Sequence, residues 1–182
     1  MESVGYDLYV KMLNQAIAQA KGEPVKADKS ECLIDITVDA YIPEKYIEDA
    51  AGRIEAYKRI AAIQNRDDAT DVLDELIDRY GDVPASVAGL VDISLIRVQA
   101  ARLGVYEIGQ NRDALLLYSD NLDMAKLKPL LQTMGRRLLV NASGKPYLSV
   151  RVEKGEKPLD ILRMVLDKMD EAASCQAGGG EL

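Results

Sequence analysis

Apolar residues recur at helical spacing through the first hundred positions and then switch to alternation. Tyr6, Tyr9, Val10, Leu13, Ile17 and Ala20 share one stripe, which predicts a helix over 4–22 that Gly22 and Pro24 end. Residues 23–31 are polar and read as a loop. From Cys32 to Ala40 the pattern alternates. Cys32, Ile34, Ile36 and Val38 face one way and Asp35, Thr37 and Asp39 the other, with Leu33 the exception, which predicts a half-buried strand. A second helix is expected over 47–64. Ile47, Ala50, Ala51, Ile54, Tyr57 and Ala61 would face inward, with Ile60 at the margin, and Arg53, Lys58 and Arg59 outward.

The next helix, over 68–80, puts Val72, Leu73, Leu76, Ile77 and Tyr80 on a core-facing side and Asp71, Asp74, Glu75 and Asp78 on the other. Arg79 suits the negative end of the helix dipole, Gly81 the left-handed closing position, and Pro84 the opening turn of a helix over 84–103. In that helix Val87, Leu90, Val91, Leu95, Val98 and Leu103 lie near one face, and Gly104 closes it.

Beyond residue 104 the period changes. Strands over 105–111 and 114–118, a helix over 122–134 capped by Asn121 or Asp120, strands over 136–142 and 147–152, and a helix over 158–173 form two strand-strand-helix units. This predicts a four-stranded antiparallel sheet with helices on one face, and an α+β fold overall. Residues 1–176 read as one domain, helical over about 4–104 with the repeats over 105–173, followed by a flexible tail over 177–182.

Composition narrows the function. Hydrophobic residues make up 48% of the chain, so it can bury a core. No apolar run approaches the roughly 20 residues of a membrane span, and no basic-then-apolar leader opens the chain. The opening Met-Glu-Ser instead resembles a cut into a longer protein. Cys32 and Cys175 have no metal-site spacing, which predicts a reducing, cytoplasmic setting. The net charge of −7 opposes general nucleic-acid binding. Histidine is absent, so Ser and Cys lack the usual base to activate them, and no glycine-rich phosphate loop precedes a helix. Asp35, Thr37 and Asp39 share a strand face that a Mg²⁺ ion or plain solvent would suit. No enzyme activity, cofactor or metal site is expected.

The acidic helix face is the feature left over. Like charges three or four residues apart cost a helix roughly 0.2–0.5 kcal/mol per pair. A solvated face accounts for Asp71, Asp74, Glu75 and Asp78, and so does a docking face for a partner that supplies arginines.

Several segments resemble one family. VGYDLYVKMLNQAI (4–17), DAYIP (39–43), RIEAYKRIA (53–61), DELIDRYGDVP (74–84) and the helix end at 97–104 are similar, in the same order, to the C-terminal domain of bacterial transcription-repair coupling factors (Mfd). The resemblance implies a parent that is an ATP-dependent DNA translocase, which displaces stalled RNA polymerase and recruits UvrA, and whose ATPase motifs lie outside this chain. It implies that this part is a non-catalytic autoinhibitory domain. Its partner would be the N-terminal UvrA-homology module of the same parent, whose UvrA-binding surface it masks. The family's acidic motif positions fall on Glu75 and Asp78; Asp71 and Asp74 extend that face. The alternative is an accessory nucleic-acid-binding domain of the same repair protein.

Overall fold

The computed structural model describes residues 32–120, 122 and 124–177. The expected helix over 4–22, the loop over 23–31, the Asn121 cap and the tail beyond Ala177 lie outside the described residues. In chain order the elements are β1 (Leu33–Asp35), α1 (Ala50–Ala61), α2 (Arg66–Tyr80), α3 (Ala85–Arg102), β2 (Val105–Asn111), β3 (Ala114–Ser119), α4 (Met124–Met134), a 3-10 turn (Gly135–Arg137), β4 (Leu138–Asn141), β5 (Tyr147–Arg151) and α5 (Pro158–Ala177). The fold is α+β, as the change of period predicts. The described chain forms two compact units, residues 37–98 and residues 32–36 with 99–177.

The first unit is helical. The Asp49 carboxylate accepts the Gly52 N–H at 2.7 Å and starts α1. Asn65 starts α2 by accepting the Asp68 N–H at 2.9 Å, while the Asp68 carboxylate accepts the Gln64 N–H at 2.9 Å. Gly81, at φ +82°, ends α2 and donates its N–H to Ile77 O. The Pro84 carbonyl then accepts from Val87 and Ala88, so the next helix begins one residue after the proline.

The core of this unit joins Ile47, Ile60, Ile63, Val72, Leu76 and Leu90. On α1 the buried stripe is Gly52, Ala56 and Ile60, continued by Ile63. Ala50 and Ala51 are exposed and Ile54 is 40% exposed, so the inward face is rotated from the expected one. The pivot is Gly52, which carries no apolar side chain to register in a hydrophobic pattern. A Cβ there would stand 3.3 Å from the Tyr80 hydroxyl and 3.2 Å from Asp49 Oδ2. The bare backbone thus lets α2 come close. Arg53 is not an outward cation either: its Nη1 donates to the Ile47 and Glu48 carbonyls at 2.9 Å each, tying the preceding loop to the helix.

The second unit holds a five-stranded sheet in the order β1-β2-β3-β5-β4. β2, β3, β5 and β4 form the antiparallel set that the hairpin repeats predict. β1 adds a parallel edge, pairing Ile34 with Ile108. It ends at Asp35 although the alternation runs to Ala40, because only Leu33–Asp35 find ladder partners on β2. Ile108, Leu115, Leu117, Leu148 and Val150 fill the buried face of the sheet. α4 and α5 pack on each other and supply Leu127, Leu130, Leu162, Val165 and Leu166 to the buried set. Gln99 and Arg102, in the last turns of α3, bond Asp167 at 2.9 Å and Asp170 at 2.5 Å on α5.

The rotated stripe of α1 has a measurable consequence. Ile60→Ala removes a side chain with no exposed surface and should cost roughly 2–5 kcal/mol of stability. Ile54→Ala should cost less than about 1 kcal/mol. Urea unfolding of both variants checks this, and equal losses would mean that the inward face had been misplaced.

Candidate functional site

α2 presents its acidic residues because its other side is committed. Ala69, Val72 and Leu76 are buried. The Tyr46 hydroxyl donates to the carbonyls of Leu76 and Gly81 at 3.2 Å each. The Tyr46 and Tyr80 rings meet edge to face with centroids 5.9 Å apart. With the rotation of the helix held in this way, Asp71, Asp74 and Asp78 point to solvent, all exposed. Asp67 is exposed too, and the spacing 67, 71, 74, 78 makes one continuous stripe. The Asn65 cap starts α2 at Arg66, two residues before the position that apolar spacing predicts, which is why the stripe is longer by one aspartate. Ile77, expected inward, is 46% exposed beside it. At that point in the turn Leu76 and Tyr80 already occupy the inner face.

Glu75 differs from the three aspartates. Arg59 reaches it from α1 through both Nε, at 3.1 Å, and Nη2. Arg79 approaches its other oxygen at 3.3 Å from one turn along α2 and also stands 3.9 Å from Glu55. Arg59, Glu75, Arg79 and Glu55 therefore form an alternating ladder across the two helices. The hydrogen bond from Arg59 holds the Glu75 carboxyl below the usual glutamate range; partial burial opposes this and Arg79 adds to it. Cations meet the acidic face only at Glu75. Arg59 is exposed, as expected, but it is not merely solvated, because its charge is matched by a carboxylate of the next helix. Among the described residues no cation lies within 4 Å of Asp71, Asp74 or Asp78.

The structure thus places all four expected residues on α2 but splits them. Asp71, Asp74 and Asp78 keep uncompensated charge, and Glu75 spends most of its charge inside the molecule. The Arg59–Glu75 pair joins residues sixteen positions apart on different helices, so no pattern within one helix reveals it. Of the aspartates considered for a cation, Asp35 ends β1 and Asp39 lies beyond the paired strand, so they do not share a ladder face. Among the described residues no group of three or more potential ligands could hold a metal ion, and no helix is long and apolar enough to cross a membrane.

The lowered titration of Glu75 makes its pairing pH-dependent. A carboxyl whose folded pKa lies below its unfolded value adds stability above the unfolded pKa, and that contribution is lost as pH falls through the folded value. Glu75→Gln should therefore be less stable than the parent chain at pH 7, and the gap should close as the pH drops below the ordinary carboxylate range. Urea unfolding between pH 7 and pH 3 measures it. A gap that stays constant with pH would show that the charge of Glu75 is not what Arg59 holds.

A family model described as the TRCF domain matches residues 36–130. The transcription-repair-coupling factor of Bacillus subtilis (strain 168) is 37% identical over 171 residues, an alignment covering 91% of this chain and 14% of that protein. The protein of the same name from Staphylococcus aureus (strain USA300) is 31% identical over 179 residues, covering 94% of this chain and 15% of that protein. The chain thus spans only 14–15% of the length of these curated relatives. A crystal structure of the C-terminal domain of transcription-repair coupling factor superposes with a TM-score of 0.70 at 23% identity, over 82% of this chain and 98% of that one. At that identity the likeness is one of fold.

Proposed function

We propose a regulatory, non-catalytic role for this chain, which belongs to the TRCF domain family. In this reading it docks, through the solvent side of α2, on the N-terminal UvrA-homology module of a longer parent protein and masks the surface to which UvrA binds. The observation that carries the reading is the row Asp71, Asp74 and Asp78, exposed, one turn apart, with no cation within 4 Å among the described residues. A fold that pairs Glu75 with Arg59 and Arg79 yet leaves its neighbours without a cation has charge available for a partner. The sequence offers no phosphate loop and no histidine, which fits a part that binds rather than reacts.

Physically such a contact needs little intrinsic strength. Two modules tethered in one chain meet at an effective concentration of about millimolar, so a weak polar interface can hold a closed state and still release it. Exposed charge pairs contribute about 0.2–1 kcal/mol each and weaken with salt, which suits a reversible clamp. The whole span would then act as one regulatory domain of the parent, whose ATP-dependent translocation and polymerase contacts reside elsewhere. The alternative, a nucleic-acid-binding role for the chain as a whole, meets repulsion at this face.

The internal pairing of Glu75 changes which residues should matter. Replacing Asp71, Asp74 and Asp78 together by Asn should leave stability within about 1 kcal/mol. It should weaken binding of the N-terminal module by a few-fold to tens of fold at low salt, and in the full parent let UvrA bind more readily. Glu75→Gln alone should weaken docking less than the triple change. Lys58→Ala serves as control, since Arg59 cannot: removing it would free Glu75. Calorimetric titration of the module at two salt concentrations measures these effects. A triple variant that binds the module like the parent chain would leave α2 a merely solvated surface.

A further inference from the structure

The second unit carries an aromatic row that neither its core nor the acidic face uses. Along β2, β3 and β5 the residues that alternate with Ile108, Leu117 and Leu148 point away from the core. On that outward face Tyr118 of β3 lies between Tyr106 of β2 and Tyr147 of β5, with ring centroids 6.5 and 5.5 Å apart. Tyr106 joins the row through a slip in the ladder. Val105 pairs with Ser119 and Glu107 with Tyr118, so Tyr106 is the extra residue of a bulge and turns to the outer side. All three rings are half-buried and keep part of their surface accessible.

Cations accompany the rings. Lys145, in the β4–β5 connection, holds its Nζ 5.4 Å from the Tyr118 centroid and 6.0 Å from that of Tyr106. Its side chain is 69% exposed and 3.4 Å from Glu107. At the other end of these strands an open cleft of about 540 Å³ is lined by Arg112, Arg151 and Lys154 together with three carboxylates, Asp113, Glu153 and Glu156. Arg151 is paired with Asp113 at 2.9 Å, whereas Arg112 and Lys154 have no carboxylate within 4 Å among the described residues. The charge of the chain is also unevenly spread. Residues 37–98 contain seven Lys and Arg against thirteen Asp and Glu, while residues 32–36 with 99–177 contain twelve against eleven. The repulsion that the net charge of −7 implies for a polyanion therefore resides in the first unit.

We propose that the outward face of β2, β3 and β5 binds single-stranded nucleic acid. Bases stack on Tyr118 and Tyr147, and the phosphates are drawn to Lys145 and, at the strand ends, to Arg112 and Lys154. Every base offers a π-face, so an aromatic row on an open sheet accepts single strands with little regard to sequence, and flanking cations neutralise the backbone. A duplex keeps its bases stacked inside and cannot use the rings. Stacking is indifferent to the sugar, so DNA and RNA should bind alike. The proposal is independent of docking at α2.

The test uses the whole 182-residue chain and fluorescence anisotropy of end-labelled oligomers of twelve thymidines, twelve uridines and a twelve-base-pair duplex. Saturable binding of both single strands is expected, weaker for the duplex and falling steeply with salt. Tyr118→Ala should weaken it about tenfold or more, Tyr118→Phe should preserve it, and Lys145→Glu should weaken it with the rings intact. The triple asparagine variant of α2 removes part of the first unit's negative charge and should bind at least as well as the unsubstituted chain. Should Tyr118→Ala fail to fold, the phenylalanine and Lys145 variants still decide the matter. Absence of saturable binding to either strand, equal affinity for the duplex, or indifference to both Tyr118→Ala and Lys145→Glu would overturn the proposal and leave the face to a protein partner or to solvent.

Discussion

The close approach of α2 to α1 at Gly52 governs the rest of the first unit. Where Gly52 lacks a side chain, the Tyr80 hydroxyl comes within 3.3 Å of the point a Cβ would occupy, and Tyr46 holds the last turn of α2 by two carbonyls. Those contacts fix the roll of α2 about its own axis. A helix with six carboxylates in fifteen residues could present several faces to water; this packing selects one. It also brings Arg59 across to Glu75, so the same approach that exposes three aspartates neutralises the fourth acidic residue beside them.

Neutralisation at Glu75 shows how a charged face can be both stable and available. A bare row of like charges weakens its own helix. Here α2 is supported at its start by the Asn65 cap on the Asp68 N–H and by the Asp68 carboxylate on the Gln64 N–H, and along its middle by the Arg59–Glu75–Arg79–Glu55 ladder. Asp67 and Asp68 also sit in the first turn, where the helix dipole favours negative charge. These local terms offset the repulsion among Asp71, Asp74 and Asp78 without consuming their charge. An exposed row of that kind suits a contact that must form and release, because its strength is set by the partner and by salt.

The second unit is built on a different constraint. Its sheet buries one face under α4 and α5 and leaves the other to tyrosines, Ser149 and two exposed leucines, Leu33 and Leu139. The edges are short, three residues in β1 and four in β4, which limits pairing with other chains. One bulge at Tyr106 converts two tyrosines into a row of three. The two units thus offer surfaces of opposite character, one acidic and one aromatic with neighbouring cations.

Much of this was legible along the chain. Period-3.6 spacing located α1, α2, α3 and α5, alternation located β2, β3 and β5 to within a residue or two, and Gly81 and Pro84 marked the break between α2 and α3. These features are local: they depend on residues within one turn or one strand, and sequence neighbours carry them. The acidic character of α2 was visible for the same reason. What tertiary structure alone decided depends on residues far apart in sequence. The inward face of α1 turned on Gly52, whose contribution is the absence of a side chain against Tyr80. The partnership of Arg59 with Glu75 required two helices to meet. β1 found a parallel partner seventy-four residues away in β2 and stopped where that partner's pairing stopped. The aromatic row needed three strands and a bulge to assemble. Composition and periodicity specify which side chains a segment offers; only the packing of segments determines which of them remain free to act.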